Sequence, residues 1–393
     1  MRSLLIALSL LCAGLLAIAW MLLQPASGPA ATVDVAEALS SAEAGYQRIT
    51  EPRPLLFPAD HGPHPDTQNE WWYFTGHLES ADGRPFGFQL TIFRTALAPP
   101  DARTPQRPST WAADQLYMGH FSLADISRGE FHAFERFGRG SAGLAGAEAE
   151  PFRVWVGPWS AATASPDGGD LWPLRLTASG DDPALTLELT ATTTKPAVLH
   201  GDAGYSEKGS TTDSGSMYVS FTRLEVGGLL RLDGETLPVQ GSAWMDHEWG
   251  SAVLGQEHQG WDWFSIQLED GRELMLFQLR RRDGTLDPKL SGTLIAADGS
   301  SRTLDTAALR FEVEDTWKAN DRGARYPSRW TLHLPTEEMV LHLRPRIPDQ
   351  ELKVSARYWE GAVLVSGQSA GEAVSGRGYV EMTGYAGESS ADS

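Results

Sequence analysis

The chain has 393 residues, a formal net charge of −19 and a single cysteine, Cys12. So acidic a chain, with no basic cluster, would repel a polyanion, which argues against binding to nucleic acid or to anionic membrane surfaces. One cysteine cannot form an internal disulfide, but a chain of this length buries enough apolar surface to fold without one. Its 14 Trp and 40 Gly, with few long helical patterns, indicate many short strands joined by tight turns.

The N-terminus has the pattern of an export signal. Met1-Arg2 supplies a positive charge, residues 3–23 are apolar and uncharged, and small turn-forming residues follow at 25–31. This order is typical of a secretory signal peptide, and the apolar run of about 20 residues is also long enough for a membrane anchor. We therefore expect residues 1–31 to make the protein exported, either periplasmic or anchored to the membrane, with cleavage and retention both open.

Alternation of apolar and polar residues with period two recurs after residue 70 and predicts strands in most of the chain. The first two, 71–78 and 86–93, form a predicted hairpin that turns at Asp82-Gly83. Further strands are predicted at 117–124, 131–137, 152–156, 174–178, 185–190, 217–226, 261–268, 273–280, 292–296, 329–334, 339–343, 361–365 and 378–383. Strands so evenly spaced are typical of β-barrels or sandwiches.

An internal repeat divides the chain into two halves. Trp, Phe, Leu and Glu recur at the same spacing in 71–79 and 261–269, and the pattern Gly-x-small-aromatic-x-acid recurs in 241–246 and 376–381. A repeat of this length indicates a duplicated domain. We therefore predict an all-β chain with one domain at 45–252 and a second at 253–390, the boundary lying near 251–259.

Two segments, 61–74 and 244–250, carry carboxylates and histidines among large aromatic side chains, which is costly unless those groups are paired or used. On a strand, Trp244, Asp246 and Glu248 would share one face, and Met245, His247 and Trp249 the other. If the first face points into a barrel, burial beside an indole would raise the pKa of Asp246. A protonated acid beside aromatic rings suits the protonation of an alkene, because the rings stabilise the resulting cation.

Other interpretations of these residues stay open. Asp246 and His247 could equally hydrogen-bond loops at the domain junction, and Glu381, the equivalent acid of the second half, is interpreted as structural because no histidine adjoins it. His61, His64 and Asp66 have the right chemistry for metal ligands, but their loose spacing across prolines favours ordinary loop residues, and no metal is predicted. Arg94 and His120 lie on predicted strands, where each could bridge strands or contact a ligand. No glycine-rich phosphate loop follows a predicted strand and opens a helix, so nucleotide binding is not predicted.

Six motifs in order resemble the carotenoid 1,2-hydratase and AttH-type family of lipocalin-like proteins. They lie at 69–76, 86–91, 118–122, 246–250, 260–263 and 378–385. The resemblance implies two tandem lipocalin-like (calycin) β-barrel domains with an apolar site at or between them. Hydratases of the family add water to a terminal isoprenoid double bond without a cofactor, and their essential aspartate corresponds to Asp246. Trp244 stands where the hydratases are expected to have tyrosine, and many exported relatives are encoded beside ABC-type exporters.

These observations lead to two main hypotheses of function. The first is an exported protein that binds a hydrophobic small molecule, a lipid or isoprenoid, as an accessory to an ABC-type exporter. The second is a cofactor-independent hydratase or isomerase that uses Asp246 as its acid or base, and a purely structural envelope module is a third option. The candidate catalytic residues are Asp246, His247 and Trp244, and the candidate ligand-binding residues are Glu70, Trp71, Trp72, Tyr73, His120, Glu248, Trp249 and Trp261. No cofactor and no nucleic-acid partner are expected.

Overall fold

The computed structural model describes residues 44–103, 109, 111–165, 170–193, 195–209, 215–250, 254–255, 257–304, 308–320 and 323–385. The predicted export segment, residues 1–31, lies outside the described residues. Within the ranges described, no helix is long and apolar enough to cross a membrane. All of the described residues belong to one compact unit.

The first sheet is antiparallel and curls into a nearly closed barrel. Its thirteen strands are β1 (Asn69–Ser80), β2 (Pro85–Ala96), β3 (Gln115–Asp125), β4 (Glu130–Arg139), β5 (Ala145–Ala149), β6 (Phe152–Val156), β7 (Trp159–Thr163), β8 (Leu174–Gly180), β9 (Leu185–Thr193), β10 (Val198–Leu199), β11 (Tyr205–Glu207), β12 (Gly215–Leu232) and β13 (Glu235–Gly250). Their order is β4-β3-β2-β1-β13-β12-β9-β8-β7-β6-β5, with β10 and β11 both paired to β12. The end strands β4 and β5 come into contact, which nearly closes the barrel.

The second sheet is a half-barrel of ten strands. They are β14 (His258–Leu268), β15 (Glu273–Arg281), β16 (Ser291–Ile295), β17 (Ser301–Thr303), β18 (Arg310–Lys318), β19 (Arg325–Leu334), β20 (Met339–Pro345), β21 (Glu351–Lys353), β22 (Arg357–Ser369) and β23 (Glu372–Met382). Their order is β17-β16-β15-β14-β23-β22-β20-β19-β18, and β21 pairs with β22.

The architecture confirms the predicted all-β fold with two lipocalin-like barrel domains. The helices among the described residues are three single 3-10 turns, Ala59–His61, Pro100–Ala102 and Pro335–Glu337. Every strand predicted from the sequence overlaps an observed one. Strands β5, β7 and β18 were not predicted, and neither were the two- and three-residue strands β10, β11, β17 and β21; of β13, only 244–249 was interpreted as a strand. Strands β5 and β7 are rich in small residues, which weakens their alternation, and β18 alternates only over 310–314.

Strand β1 is buried along almost its whole length because it has an apolar neighbour on each face. Trp72 and Phe74 belong to the apolar core of the first barrel. Tyr73, which strand alternation turns to the other face, belongs to a separate, largely aromatic cluster that includes Trp263 and Tyr358 of the second sheet. This second cluster fills the contact between the two sheets.

The internal repeat appears in the structure as matching strand pairs. The opening strand of each half pairs with its closing strand, so that Tyr73 lies opposite Asp246 and Trp263 lies opposite Glu381. The change from the first sheet to the second falls between Gly250 and His258. The division into domains at 45–252 and 253–390 stays a prediction.

Ion pairs and close packing hold the sheets together. Glu273 of β15 is fully buried and binds Lys195 Nζ at 2.7 Å and Arg223 Nε at 2.5 Å, both from the first half. His77 Nε2 lies 2.9 Å from the carbonyl oxygen of Gly378. The two halves therefore meet through specific polar contacts as well as through the aromatic cluster.

Candidate active site

A narrow cavity lies between the first barrel and the second sheet. It is lined by Trp71, Tyr73, Thr91, Phe93, Lys208, Tyr218, Asp246, Glu248, Trp261, Trp263, Phe277, Tyr358 and Glu381. About 550 Å³ between these side chains is free of protein atoms, but the centre of a water molecule reaches only about 40 Å³ of it. Since one water needs roughly 10–15 Å³ of such space, the cavity accepts a few waters or a flat, slender group without rearrangement.

Asp246 on β13 contributes a buried carboxyl group to the cavity wall. Its Oδ1 accepts the indole N–H of Trp244 at 2.6 Å and the hydroxyl of Ser220, and its Oδ2 accepts the hydroxyl of Tyr218 at 2.7 Å. Burial raises the pKa of Asp246 to about 7, because its removal from water outweighs these hydrogen bonds, which favour the carboxylate. The group therefore gains and loses its proton near neutral pH.

An indole fixes the direction of the hydrogen bond between Tyr218 and Asp246. An indole N–H can only donate, so Trp263 Nε1, 2.9 Å from the Tyr218 hydroxyl oxygen, donates to that oxygen. The hydroxyl proton of Tyr218 then points to Asp246. Burial raises the pKa of Tyr218 well above its ordinary value, so the phenol stays protonated and holds Asp246 as an acceptor.

Ser220 connects Asp246 to a buried histidine. His200 Nε2 lies 2.7 Å from Ser220 Oγ, and His200 Nδ1 lies 2.8 Å from Thr293 Oγ1 of the second sheet. Burial lowers the pKa of His200 to about 3, so the ring is neutral and carries a single N–H. With that proton on Nε2 the ring donates to Ser220, and the Ser220 hydroxyl proton is left for Asp246.

Glu381 on β23 is the corresponding acid of the second half. Its carboxyl accepts a hydrogen bond from the side chain of Trp261, and burial raises its pKa to about 8, with the negative charge of Asp246 adding to the shift. Because no histidine adjoins Glu381, the sequence predicts a structural role for it, but the structure places it on the wall of the same cavity as Asp246.

Glu248 is a third carboxylate of the cavity and has a cation partner. Lys208 Nζ lies 2.8 Å from Glu248 Oε1, and Ser216 donates to the same oxygen at 2.5 Å. Lys208 is 2% exposed, and its ammonium lies 4.3 Å from the ring centre of Phe277. Among the described residues, Asp246 and Glu381 form no such ion pair, so the cavity holds one neutralised carboxylate and two carboxyl groups that can exchange a proton.

Four predicted site residues lie on the opposite face of the first sheet. They are Glu70, Trp72, His247 and Trp249, which stand opposite one another in pairs along β1 and β13. Strand alternation turns them away from the cavity, so the structure does not bring His247 to Asp246. The face that carries Asp246 points out of the first barrel toward the second sheet, and not into a barrel, because Met245 fills the barrel core instead.

On that opposite face, Glu70 is the centre of a buried charge network. It contacts Arg94 Nε at 2.7 Å, His64 Nδ1 at 2.8 Å and His247 Nε2 at 2.9 Å. Burial alone would raise the pKa of Glu70, but Arg94 and the two histidines hold it well below its ordinary value. His64 also reaches Asp60 at 2.9 Å, and the two carboxylates raise its pKa despite burial.

This network contains a set of potential metal ligands among the described residues. Atoms of His64, Glu70 and His247 lie within 4.8 Å of one another. Each of the three already bonds to another member of the network, so mutual pairing accounts for the cluster. His61 and Asp66 do not join it, since His61 stacks on Phe57 and Asp66 pairs with Arg103.

His120 does not line the cavity but contacts a residue that does. Its Nδ1 lies 2.8 Å from the hydroxyl of Tyr358, which lines the cavity, and its Nε2 lies 3.1 Å from Glu135 Oε1. Of the other predicted residues, Trp71, Tyr73, Glu248 and Trp261 line the cavity directly. The predicted site residues did not include Lys208, Tyr218, Ser220, His200, Trp263, Phe277 or Tyr358. Alternation along the predicted strand 217–226 could have indicated Tyr218 and Ser220.

The fold and this site define a class of protein, a lipocalin-like chain of a barrel and a half-barrel that holds two exchangeable carboxyl groups in an aromatic cavity between its halves. Within that class the chain belongs to the AttH-like family, which it matches over residues 48–385.

Solved and curated relatives agree with this assignment. A crystal structure of an AttH protein from Nitrosomonas europaea is 34% identical, with a TM-score of 0.73 over 85% of this chain and 98% of that chain. Kievitone hydratase from Nectria haematococca has a TM-score of 0.63 over 87% of this chain and 98% of its own, at 18% identity, and so shares the fold. The dehydratase asqC of Emericella nidulans is 22% identical over 211 residues, which is 51% of this chain and 58% of that protein. The match thus spans less than two thirds of this curated relative.

Proposed function

We propose that this protein adds or removes water at a carbon–carbon double bond of an apolar small molecule, with Asp246 and Glu381 as its acid–base pair. The observation that carries the proposal is the pair itself. The buried carboxyl group of Asp246 and the partly buried carboxyl group of Glu381 face one aromatic cavity, without a cation partner among the described residues, and removal from water raises their pKa values to about 7 and about 8. Near neutral pH such a pair tends to hold one proton between its members, so that one is an acid and the other a base.

The surroundings of the two carboxyl groups assign their roles. Asp246 accepts three hydrogen bonds, which favour its carboxylate, whereas Glu381 accepts one from Trp261 and has the higher pKa. In hydration Glu381 gives its proton to one alkene carbon, and the π electrons form the new C–H bond. Water then bonds through oxygen to the neighbouring cationic carbon and loses a proton to Asp246. Return of that proton to Glu381 through solvent completes the cycle, and dehydration runs the same steps in reverse.

The aromatic wall fits the cationic intermediate of this reaction. The rings of Trp71, Trp261 and Phe277 line the cavity, and a ring face stabilises a cation by about 0.5–2 kcal/mol. The names of the relatives support the same chemistry, since one is a hydratase that shares the fold and another is a dehydratase of related sequence.

The test is to incubate the full chain, purified in mild detergent, with a panel of alkenes in ¹⁸O-labelled water. The panel contains kievitone and isoprenoids that end in a trisubstituted double bond, and mass spectrometry follows the products. We expect a product that has gained one labelled water. The variants Asp246→Asn and Glu381→Gln should each abolish it, whereas Asp66→Asn, which changes an exposed carboxylate, should not.

Binding of these probes without any turnover by the wild type would overturn the proposal. It would favour the other hypothesis, an exported protein that carries an apolar ligand, because the aromatic cavity suits that role too. Export through residues 1–31 and an association with an ABC-type exporter stay predictions from the sequence.

A further inference from the structure

Beside the cavity, the two sheets face each other across buried polar atoms that have no hydrogen-bond partner among the described residues. They are Thr75 Oγ1, Gln89 Oε1, Ser122 Oγ, Glu360 Oε2 and Tyr379 Oη. Each of these residues is at most 1% exposed. Buried polar atoms are nearly always paired in folded proteins, so this group calls for a ligand that can both donate and accept hydrogen bonds.

The three atoms of the first sheet form a row. Thr75 on β1 lies opposite Gln89 on β2, and Gln89 lies opposite Ser122 on β3. Tyr73, two residues before Thr75, lines the cavity, so strand alternation places this row on the same face, next to the cavity and toward the second sheet.

The other two atoms face this row from the second sheet. Glu360 on β22 lies opposite Glu381 on β23. Tyr379 precedes Glu381 by two residues on β23, so its side chain is on the same face. A methyl group on Gly87, two residues before Gln89, would lie 3.1 Å from the Tyr379 hydroxyl. The five atoms therefore belong to one layer between the sheets.

Hydrogen bonds connect this layer with the cavity. The hydroxyl of Tyr73 donates to Glu360 Oε1 at 2.6 Å, and Gln89 Nε2 donates to Thr91 Oγ1 at 2.6 Å. Burial raises the pKa of Glu360 well above its ordinary value, so this carboxyl keeps its proton. With Oε1 accepting from Tyr73, that proton lies on Oε2 and needs an acceptor.

We propose that this layer is an internal water site, bound by Thr75, Gln89, Ser122, Glu360 and Tyr379, which supplies the water that adds to the alkene in the cavity. Water fits because it donates and accepts, and because a buried water usually makes two to four hydrogen bonds to such atoms. The site itself is independent of any reaction, whereas its use as a water supply rests on the proposed function.

In the reaction, one water moves from the layer into the cavity past Tyr73 and Thr91, which lie side by side on β1 and β2 and line the cavity. Its oxygen bonds to the cationic carbon and one of its protons goes to Asp246, which lies opposite Tyr73 across the strand pair. A second water from bulk solvent then refills the layer. Each turnover consumes one water and one alkene, and forms one alcohol.

The first test is crystallographic and needs no substrate. Crystals of the full chain, at a resolution that shows ordered water, should contain waters that bridge at least two of the five atoms. The double variant Thr75→Val/Tyr379→Phe, which changes no cavity-lining residue, should lose them. The control Thr190→Val/Tyr205→Phe removes the same groups elsewhere and should keep them. A dry layer in the wild type, or direct pairing of the five atoms with one another, would overturn the proposal.

The second test separates water supply from proton transfer. In deuterated water, the wild type should both hydrate an alkene probe and exchange deuterium into recovered substrate. The double variant should lose hydration by roughly tenfold or more, while exchange stays close to wild type. Equal loss of hydration and of deuterium exchange would contradict the role of the layer as a water supply. If the double variant does not fold, Ser122→Ala takes its place in both tests. If the wild type neither hydrates nor exchanges, the proposed function fails, and the crystals still decide the water site.

Discussion

Asp246 and Glu381 hold matching positions in the two halves of the chain and face the same cavity. Asp246 lies opposite Tyr73 and Glu381 lies opposite Trp263 on the opening strands of their halves. Each carboxyl also accepts a hydrogen bond from an indole, that of Trp244 or Trp261. The acids at these matching positions thus come together in one cavity, and the charge of the first raises the pKa of the second.

Replacing Asp246 with Asn should abolish turnover and leave binding of an apolar probe close to wild type. The amide keeps the shape and hydrogen-bonding capacity of the side chain but has no transferable proton. Product formation and quenching of tryptophan fluorescence measure the two properties. Normal turnover with a lowered melting temperature would instead indicate a structural role, since loss of a buried charged hydrogen bond costs about 1.5–3 kcal/mol.

The rate should follow a bell-shaped pH profile. Because the pKa of Asp246 is about 7 and that of Glu381 about 8, hydration should speed up as Asp246 ionises and slow down as Glu381 loses its proton. The two limbs of kcat/KM belong to the pair and not to either residue alone. Rates measured from pH 5 to 10 test this, and a flat profile across pH 6–9 would contradict the assignment.

Asp246 should make the folded protein less stable as the pH rises. Its pKa is raised from 3.8 to about 7 on folding, so between these values the folded state keeps a proton that the unfolded state has lost. The free energy of unfolding should therefore fall between about pH 4 and pH 7, by at most roughly 4 kcal/mol, and level off above. Urea unfolding at several pH values should show a flatter dependence for Asp246→Asn. An identical slope in variant and wild type would count against the raised pKa.

Glu70→Gln should destabilise the fold by about 3–5 kcal/mol, because it leaves the buried guanidinium of Arg94 without its carboxylate. Glu79→Gln changes an exposed residue of the same strand and should stay within about 0.5 kcal/mol of wild type. Urea unfolding measures both. Since Glu70 faces away from the cavity, folded Glu70→Gln protein should keep its turnover, and complete loss would show that the opposite face takes part in the reaction.

Gly87→Ala should weaken the contact between the sheets. The added methyl group would lie 2.8 Å from Cβ of Ala362, and such overpacking costs about 1–3 kcal/mol. Gly227→Ala is a matched control, because its methyl group would meet nothing closer than 3.7 Å. Melting temperatures should fall for the first variant and stay near wild type for the second. Equal melting temperatures would mean that the sheets can separate without cost.

Features that depend on local sequence were predictable. Alternation with period two predicted the strands, and the repeat in 71–79 and 261–269 predicted that Trp71 and Trp261 would hold equivalent strand positions. Both signals arise within a single strand or by comparison of two strands. The same alternation separated Asp246 from His247, because neighbours on a strand must face opposite ways.

Features that depend on how the sheets meet were not predictable. Whether the face with Asp246 or the face with Met245 fills the barrel core is decided by packing across the barrel. Glu381 and Tyr358 line the same cavity as Asp246 only because of how the second sheet packs against the first. Nothing in the sequence around Lys208 distinguishes it from a surface lysine.

The ion pair between the partly buried Lys195 and the buried Glu273 joins the two halves without lining the cavity. Asp246 and Glu381 lie on different sheets. The distance between their charges therefore depends on how closely the two halves pack, and not on the geometry of either half alone. Coulomb repulsion falls with distance, and a looser contact would lower the proton affinity of Glu381. The pKa of Glu381 thus depends on how tightly the two halves pack against each other. A substitution at Lys195, which lies outside the cavity, would change the proton transfer by changing that packing.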